Sequence, residues 1–195
     1  MTWLLRFDQE VFRFLHVDLA NPVLGAVMWL FSYSGLGQVQ AIFALLLLTK
    51  RETKYYTLPL LVTIIFSGLI VAQAIKRLLE RERPSLLEIA TPFEPWEHNS
   101  FPSGHTTTSF AVATMLVLMT YGSRNSWIGK AALVWAFLVG VSRIYRGVHW
   151  PTDVLAGAFA GMFSAGIVYL VLRKLGKQLH LDHPSATISG AEVGR

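Results

Sequence analysis

The class of fold can be read from one stretch, "SRIYRGVHWPTDVLAGAFAGMFSAGIVYLVL", residues 142–172. Its second part, 154–172, is 19 residues long and carries no charge. A helix needs roughly 20 apolar residues to cross the hydrocarbon core of a bilayer. The first part holds four ionisable side chains: Arg143, Arg146, His149 and Asp153. The stretch therefore predicts a membrane helix with ionisable groups gathered at its entrance.

Other uncharged runs occur along the chain, at 19–49, 55–75, 106–121 and 131–142. The first has 31 residues and would be about 46 Å long as one helix, which exceeds a core of about 30 Å. We expect "SGLG", 34–37, to break it, because glycine interrupts helices. Hydrophobic residues make up 53% of the chain and charged residues 15%, which disfavours a soluble helical protein. The sequence predicts an all-α, polytopic membrane bundle of five or six transmembrane helices.

The segments outside these runs have distinct compositions. Residues 1–18 alternate charged and apolar side chains with the spacing of an amphipathic helix on a membrane surface. We therefore predict one membrane-embedded domain over 1–177, followed by a flexible polar tail over 178–195. The loop 85–101 is rich in aromatic residues and is expected to anchor at the interface or to cover a substrate. The chain has no cysteine, so disulfides are excluded.

The net charge of +5 comes from loops between the apolar runs, which favours a membrane protein over a nucleic-acid partner. Three clusters would lie in the cytoplasm by the positive-inside rule: Lys50, Arg51 and Lys54; Arg124 and Lys130; Arg173, Lys174 and Lys177. The loops near 76–103 and 143–152 then face outward. The basic residues of the first outward loop conflict with this orientation unless they have another task.

The stretch "KRLLERERP", 76–84, is the first of three motifs with chemical content. Lys76 and Arg83 are seven residues apart and would share one face of a helix. Pro84 disfavours helix at Arg83, so we predict that the helix ends there. A lysine and an arginine so placed suit a phosphate. The alternative is a juxtamembrane cluster that contacts anionic lipid.

The second motif is "PSGH", 102–105, which leads directly into an apolar run. Backbone N–H groups at a helix start bind anions, and Ser103 and Gly104 would let a phosphate oxygen approach closely. His105 would lie beside that anion, where it could give or take a proton. The alternative is an ordinary polar helix start.

The third motif is the stretch 142–153, at the entrance of the membrane helix described first. Arg143 is a second potential phosphate clamp, and His149 precedes Asp153 by four residues. Pro151 suits the first turn of a helix, near whose N-terminus Asp153 would lie. An Asp153 hydrogen bond to one imidazole nitrogen would leave the other nitrogen free for nucleophilic attack. The alternative is a helix cap beside a lone histidine.

In this order and spacing, the motifs K-x(6)-R-P, P-S-G-H and S-R-x(5)-H-x(3)-D resemble the type-2 phosphatidic acid phosphatase superfamily. The resemblance implies that His149 is a nucleophile oriented by Asp153, and that His105 is the general acid and then the base. It also implies a phosphate site made of Lys76, Arg83, Ser103, Gly104 and Arg143, with no metal and no cofactor. Arg146 lies outside the motifs; it is expected to be solvated, or to touch a second phosphate or a headgroup.

The expected function is that of a metal-independent lipid phosphatase in a bacterial inner membrane, with its site facing the periplasm. Undecaprenyl pyrophosphate is the favoured substrate, and phosphatidylglycerophosphate and phosphatidic acid are the alternatives. A lipid phosphotransferase would share the intermediate. Vanadate haloperoxidases share the motifs but are soluble, and a non-enzymatic membrane binder is the remaining class. Membrane lipids and the lipid phosphate are the expected partners, with no obligate protein partner.

Overall fold

The computed structural model describes residues 3–84 and 99–178. Most of the predicted aromatic loop, 85–98, and the predicted tail from 179 onward lie outside the described residues. The regular elements within the described part are helical, which confirms the all-α prediction. The α-helices are α1 (Trp3–Arg13), α2 (Pro22–Ser34), α3 (Gly37–Leu46), α4 (Thr57–Ile64), α5 (Gln73–Leu78), α6 (Gly104–Thr120), α7 (Ser126–Tyr145) and α8 (Pro151–Gln178).

Within the described residues, three continuous helical stretches are long and apolar enough to cross a membrane: Lys54–Leu78, Ser126–Tyr145 and Pro151–Gly176. The pair Trp3–Asp18 and Pro22–Ser34, bent by 119°, would make a fourth if it is one broken span. This number is below the predicted five or six, because α6 has 17 residues and Gly37–Thr49 is also short. The chain is therefore a membrane-type helix bundle in which long and short apolar helices are packed together.

The N-terminal helix is amphipathic, as predicted. Its apolar face buries Phe12, whose ring centroid lies 5.3 Å from that of Trp150. Trp3 and Leu4 remain exposed, as expected of side chains that enter a membrane interface. The helix widens into a π-helical turn over Phe14–Asp18 before the chain bends into α2.

The predicted break at 34–37 is confirmed between α2 and α3. The helix α2 ends at Ser34, and Leu36 is extended before α3 begins at Gly37. The side-chain amide of Gln40 holds the break, because its Nε2 donates to the carbonyl of Gly35 at 2.9 Å. The break leaves a recess in the bundle next to the start of α6.

Helices α6 and α8 touch backbone to backbone. A Cβ added at Gly161 would lie 2.2 Å from the carbonyl oxygen of Thr107, and one at Gly157 would lie 2.8 Å from that of Ser103. The sequence "GAFAG", 157–161, is therefore a small-residue motif that lets two membrane helices approach closely. The Ser103 N–H donates to the carbonyl of Asp153 at 3.1 Å, so this packing fixes the starts of the two helices side by side.

The prediction that the first motif is helical as far as Arg83 is wrong. The helix α5 ends at Leu78, and Leu79 is already extended. The side chain of Asn99 caps this end of the helix. Its Nδ2 donates to the carbonyls of Lys76 at 2.5 Å and Leu79 at 2.9 Å. Its Oδ1 accepts from the N–H of Arg81 at 3.2 Å. The segment that carries Arg83 is therefore not helical.

Candidate active site

One cavity of about 780 Å³ collects residues from all three motifs. It lies between the α2–α3 break, the helical stretch Lys54–Leu78, the start of α6 and the segment between α7 and α8 that carries His149. Six of the predicted site residues line it: Lys76, Arg83, Gly104, His105, Arg143 and His149. Ser103 and Asp153 are fully buried behind this lining. The packing thus brings together groups that are up to 77 residues apart in the sequence, from 76 to 153.

The two nitrogens of His149 have different surroundings. Its Nε2 lies 3.4 Å from Nη1 of Arg83. Its Nδ1 lies 3.6 Å from Oδ2 of Asp153, which is longer than a hydrogen bond. The Asp153 carboxylate is itself held in place, because Oδ2 accepts from the N–H of Trp150 at 2.9 Å. The imidazole therefore presents Nε2 to the cations and Nδ1 to the carboxylate.

The His149 side chain is only 3% exposed, and this burial has an electrostatic consequence. Burial lowers the pKa of His149 from 6.5 to about 4, because the charged imidazolium would lose its hydration. The nearby Arg83 and Arg143 act in the same direction, while Asp153 opposes them. His149 is therefore neutral at physiological pH, which is the state that has a nucleophilic lone pair.

The second motif forms the N-terminus of α6. Ser103 caps this helix, and its Oγ accepts a hydrogen bond from the hydroxyl of Thr106 at 2.9 Å. A Cβ added at Gly104 would meet no protein atom within 4 Å, so space remains beside the backbone at the cavity. His105 follows in the first turn, next to the α2–α3 break at Gly35. Gly104 and His105 thus line one cavity at the start of α6, where backbone N–H groups of a helix are available to an anion.

The three predicted phosphate-binding cations are held by neutral acceptors. The carbonyl oxygen of Asn99 accepts from Lys76 Nζ at 2.9 Å and from Arg83 Nη2 at 3.0 Å. Arg83 Nη1 also donates to the carbonyl of Val148 at 2.7 Å, and Arg143 Nη1 donates to the hydroxyl of Ser32. These contacts hold the three cations at the lining of the cavity. Such an arrangement suits an anionic ligand with several oxygens.

One wall of the cavity is apolar and reaches the outer surface of the bundle. Trp29 and Tyr33 of α2 form it together with Ile65 and Leu69 of the π-helical segment Ile65–Ala72. Trp29 is 49% exposed and Leu69 is 69% exposed. In a membrane bundle, exposed apolar side chains face hydrocarbon. The cavity therefore joins a polar, cationic end to a side that suits a lipid chain.

Sequence reasoning missed two charged residues that lie behind the site. Arg81 pairs with Asp153 at 2.6 Å and with Asp8 at 2.5 Å, and Asp8 is 1% exposed. The sequence carried one signal of this contact, since Asp8 and Phe12 are four residues apart and therefore lie on one face of α1. That face is buried in the structure. Arg146 also differs from expectation, because it is 7% exposed and not solvated.

The site holds the kinds of groups that binding and attack of a phosphate require. It offers cations, helix N–H groups, a neutral imidazole and a second histidine within one cavity. Within residues 3–84 and 99–178, no group of three or more His, Cys, Asp or Glu side chains is placed to hold a metal ion.

Comparison with known proteins identifies similar sequences and a similar structure. The profile of the PAP2 superfamily matches residues 56–177. The lipid A 4'-phosphatase of Bacteroides thetaiotaomicron is 30% identical over 136 residues, which are 66% of this chain. This chain spans 59% of that relative, less than two thirds of its length. A putative undecaprenyl-diphosphatase of Escherichia coli is 27% identical over 170 residues, which are 86% of this chain and 75% of that protein.

A solved structure extends the similarity to the fold. It is the crystal structure of a transmembrane PAP2-type phosphatidylglycerolphosphate phosphatase from Bacillus subtilis. The match has a TM-score of 0.75 at 25% identity and covers 90% of this chain and 89% of that one. The similarity supports a membrane location for the helix bundle.

Proposed function

Because the chain belongs to the PAP2 superfamily, we propose that it is a membrane-embedded phosphatase that hydrolyses a lipid phosphate or pyrophosphate through a phosphohistidine. The observation that carries this proposal is the different environment of the two His149 nitrogens. Nε2 faces the cations of the cavity, where a phosphate would bind, and Nδ1 faces Asp153. An enzyme that uses an imidazole nucleophile needs this division of roles.

In the first step, Nε2 of His149 attacks the phosphorus atom, and the bond from phosphorus to the lipid oxygen breaks. Burial and the neighbouring cations hold the pKa of His105 well below its usual value. His105 therefore gains a proton together with the bound phosphate anion and donates it to that leaving oxygen, so the lipid departs as an alcohol or, from a pyrophosphate, as a monophosphate. Asp153 stabilises the positive charge that develops on the imidazole. Its distance of 3.6 Å from Nδ1 would shorten when phosphate is bound, as catalytic hydrogen bonds often do.

In the second step, water attacks the phosphorus of the phosphohistidine. His105 takes a proton from this water, and the bond from phosphorus to Nε2 breaks to release inorganic phosphate and neutral His149. Lys76, Arg83 and Arg143 stabilise the charge on the phosphoryl oxygens in both steps. The backbone at Gly104, placed by the Ser103 cap, adds N–H donors. In this scheme the cations supply the charge stabilisation that a metal ion gives to other phosphatases, so we propose a metal-independent reaction.

The apolar wall of the cavity supports a lipid substrate over a soluble ester. Of the lipid phosphates, we propose undecaprenyl pyrophosphate, which is supported by the similarity to the putative undecaprenyl-diphosphatase over 86% of this chain. Phosphatidylglycerophosphate and phosphatidic acid are alternatives, and the Bacteroides thetaiotaomicron relative adds lipid A. The phosphates of these lipids would make the same contacts in the cavity, so the shape of the apolar wall would select among their lipid chains.

We propose that the site faces the periplasm across a bacterial inner membrane. The helices α6 and α7 run antiparallel, so their connection near Arg124 lies at the end of the bundle opposite His105. The positive-inside rule places that connection in the cytoplasm. Lys76 and Arg83 are then kept outside because they hold the substrate phosphate.

Phosphate release by detergent-purified protein tests this function. The panel contains undecaprenyl pyrophosphate, phosphatidylglycerophosphate, phosphatidic acid, lipid A and a soluble phosphate ester, all with EDTA. His149→Ala should abolish release, and Arg77→Gln is the matched control because Arg77 is exposed on α5. If His149→Ala still released phosphate, the phosphohistidine intermediate would be contradicted. If EDTA abolished phosphate release and one metal ion restored it, metal independence would be contradicted. Labelled phosphate in a second lipid would indicate a phosphotransferase.

A further inference from the structure

Arg81 lies between two buried carboxylates that belong to opposite ends of the chain. Its Nη2 is 2.5 Å from Oδ2 of Asp8, and its Nη1 is 2.6 Å from Oδ1 of Asp153. Asp8 is 1% exposed and Asp153 is fully buried. Buried carboxylates are costly unless a cation and hydrogen bonds compensate them, and one planar guanidinium serves both here.

Thr152 completes this arrangement at the first turn of α8. Its hydroxyl accepts from Arg81 Nη1 at 2.6 Å and donates to Oδ2 of Asp8 at 2.7 Å. Its N–H donates to Oδ1 of Asp8 at 2.9 Å. The guanidinium carbon of Arg81 also lies 5.6 Å from the centre of the Trp150 ring. Arg81 is thus held by Asp8, Asp153, Thr152 and the Trp150 ring. Asp8 also accepts hydrogen bonds from the N–H and the hydroxyl of Thr152 in the first turn of α8.

We propose that Arg81 is a positioning residue for the Asp153–His149 pair and that Asp8 of the N-terminal helix holds it in place. This inference rests on the proposed function, in which His149 is the nucleophile. Arg81 occupies Oδ1 of Asp153, and the N–H of Trp150 occupies Oδ2 on one side. The carboxylate can then rotate little, and the remaining side of Oδ2 is directed at Nδ1 of His149. Arg81 is not among the residues that line the cavity, so it acts through Asp153.

The arrangement makes the interfacial helix a part of the support of the site. The exposed residues of α1 include Trp3, Leu4 and Arg6 as well as Gln9 and Glu10, whereas Asp8 faces inward to Arg81. A membrane-bound N-terminal helix would therefore hold the guanidinium in register with Asp153. The sequence separation of 73 between Asp8 and Arg81 shows that the fold, and not local structure, creates this contact.

The test compares Arg81→Gln with the double variant Asp8→Asn/Arg81→Gln. The single variant leaves two buried carboxylates without their shared cation and is expected to fold poorly. The double variant removes one of these charges and keeps hydrogen-bonding groups for Thr152, so it restores the fold. We expect kcat of the double variant to fall about 10- to 100-fold, the loss typical of residues that orient a catalytic ligand, with KM within about twofold. Arg81→Lys should be intermediate, because an ammonium cannot bridge both carboxylates in the same way.

A readout without turnover keeps this inference separate from the proposed function. The side-chain ¹⁵N signals of His149, assigned by comparison with His149→Ala, report which ring nitrogen carries the proton. We expect Nδ1–H and a bare Nε2 in the native protein and in Arg77→Gln, and a mixture of tautomers in the double variant. A native kcat or a native tautomer in the folded double variant would overturn the inference, since Arg81 would then only balance Asp8. A native protein that releases no phosphate would contradict the function, while the tautomer comparison would still decide the role of Arg81.

Discussion

Arg83 Nη1 lies 3.4 Å from Nε2 of His149, at the wall of the cationic cavity. A phosphoryl group bound for attack by Nε2 would have its oxygens beside this guanidinium. We expect Arg83→Gln to lower kcat about 10²- to 10³-fold, the loss typical of one preorganised donor to a transition state. Arg83→Lys should recover only part of this activity, because it lacks the planar fork. Arg77→Gln controls for loss of one positive charge in the same segment, and equal rates for the two glutamine variants would contradict the role of Arg83.

The protonation state of His149 gives a prediction about pH. Because burial lowers its pKa to about 4, His149 stays neutral as the pH falls through 6.5 and gains its proton only near 4. Diethyl pyrocarbonate reacts with neutral imidazole, and its reaction at residue 149 can be followed by mass spectrometry of that peptide without substrate. We expect the rate constant to be level from pH 7.5 to about 5.5 and to halve near 4. Halving near pH 6.5, as for an exposed histidine, would contradict the burial of this group.

The close contact of α6 and α8 predicts a sharp difference between two glycines of one helix. Gly161→Ala would place a Cβ 2.2 Å from the Thr107 carbonyl oxygen and force the helices apart. We expect a destabilisation of about 1–3 kcal/mol, typical of overpacking, with reduced activity as Ser103 moves from Asp153. Gly166→Ala, with nothing within 4 Å, should be neutral or slightly stabilising. Thermal unfolding in detergent measures both, and equal melting temperatures would contradict the backbone contact.

Six of the predicted site residues line one cavity, and the sequence could group them because they belong to motifs with fixed spacing. It also predicts the helix break at 34–37, where glycine interrupts an apolar run too long for one span. It fails for the segment after Leu78, because helical periodicity does not reveal that Asn99 takes the backbone hydrogen bonds there. Within the described residues three or four helices reach the length of a span, fewer than the apolar runs suggest, because two of those runs form shorter helices.

The support of the site is harder to predict than its lining. The contacts of Arg81 with Asp8 and Asp153 join residues that are 73 and 72 positions apart. The sequence shows only that Arg81 is one of several basic residues, and that Asp8 belongs to an amphipathic helix. Which charge is buried depends on how α1 packs on the start of α8, and this is a property of the tertiary structure.

Trapping of the phosphorylated protein tests the central claim most directly. Purified protein is mixed with lipid substrate labelled with ³²P in the phosphate to be cleaved and is quenched within one turnover. The account predicts label that is stable in base and labile in acid, located by mass spectrometry on His149. It also predicts that His105→Ala slows both the appearance and the loss of this label, and that His149→Ala carries none. Phosphate release without any protein-bound label, or label on another residue, would contradict nucleophilic catalysis by His149.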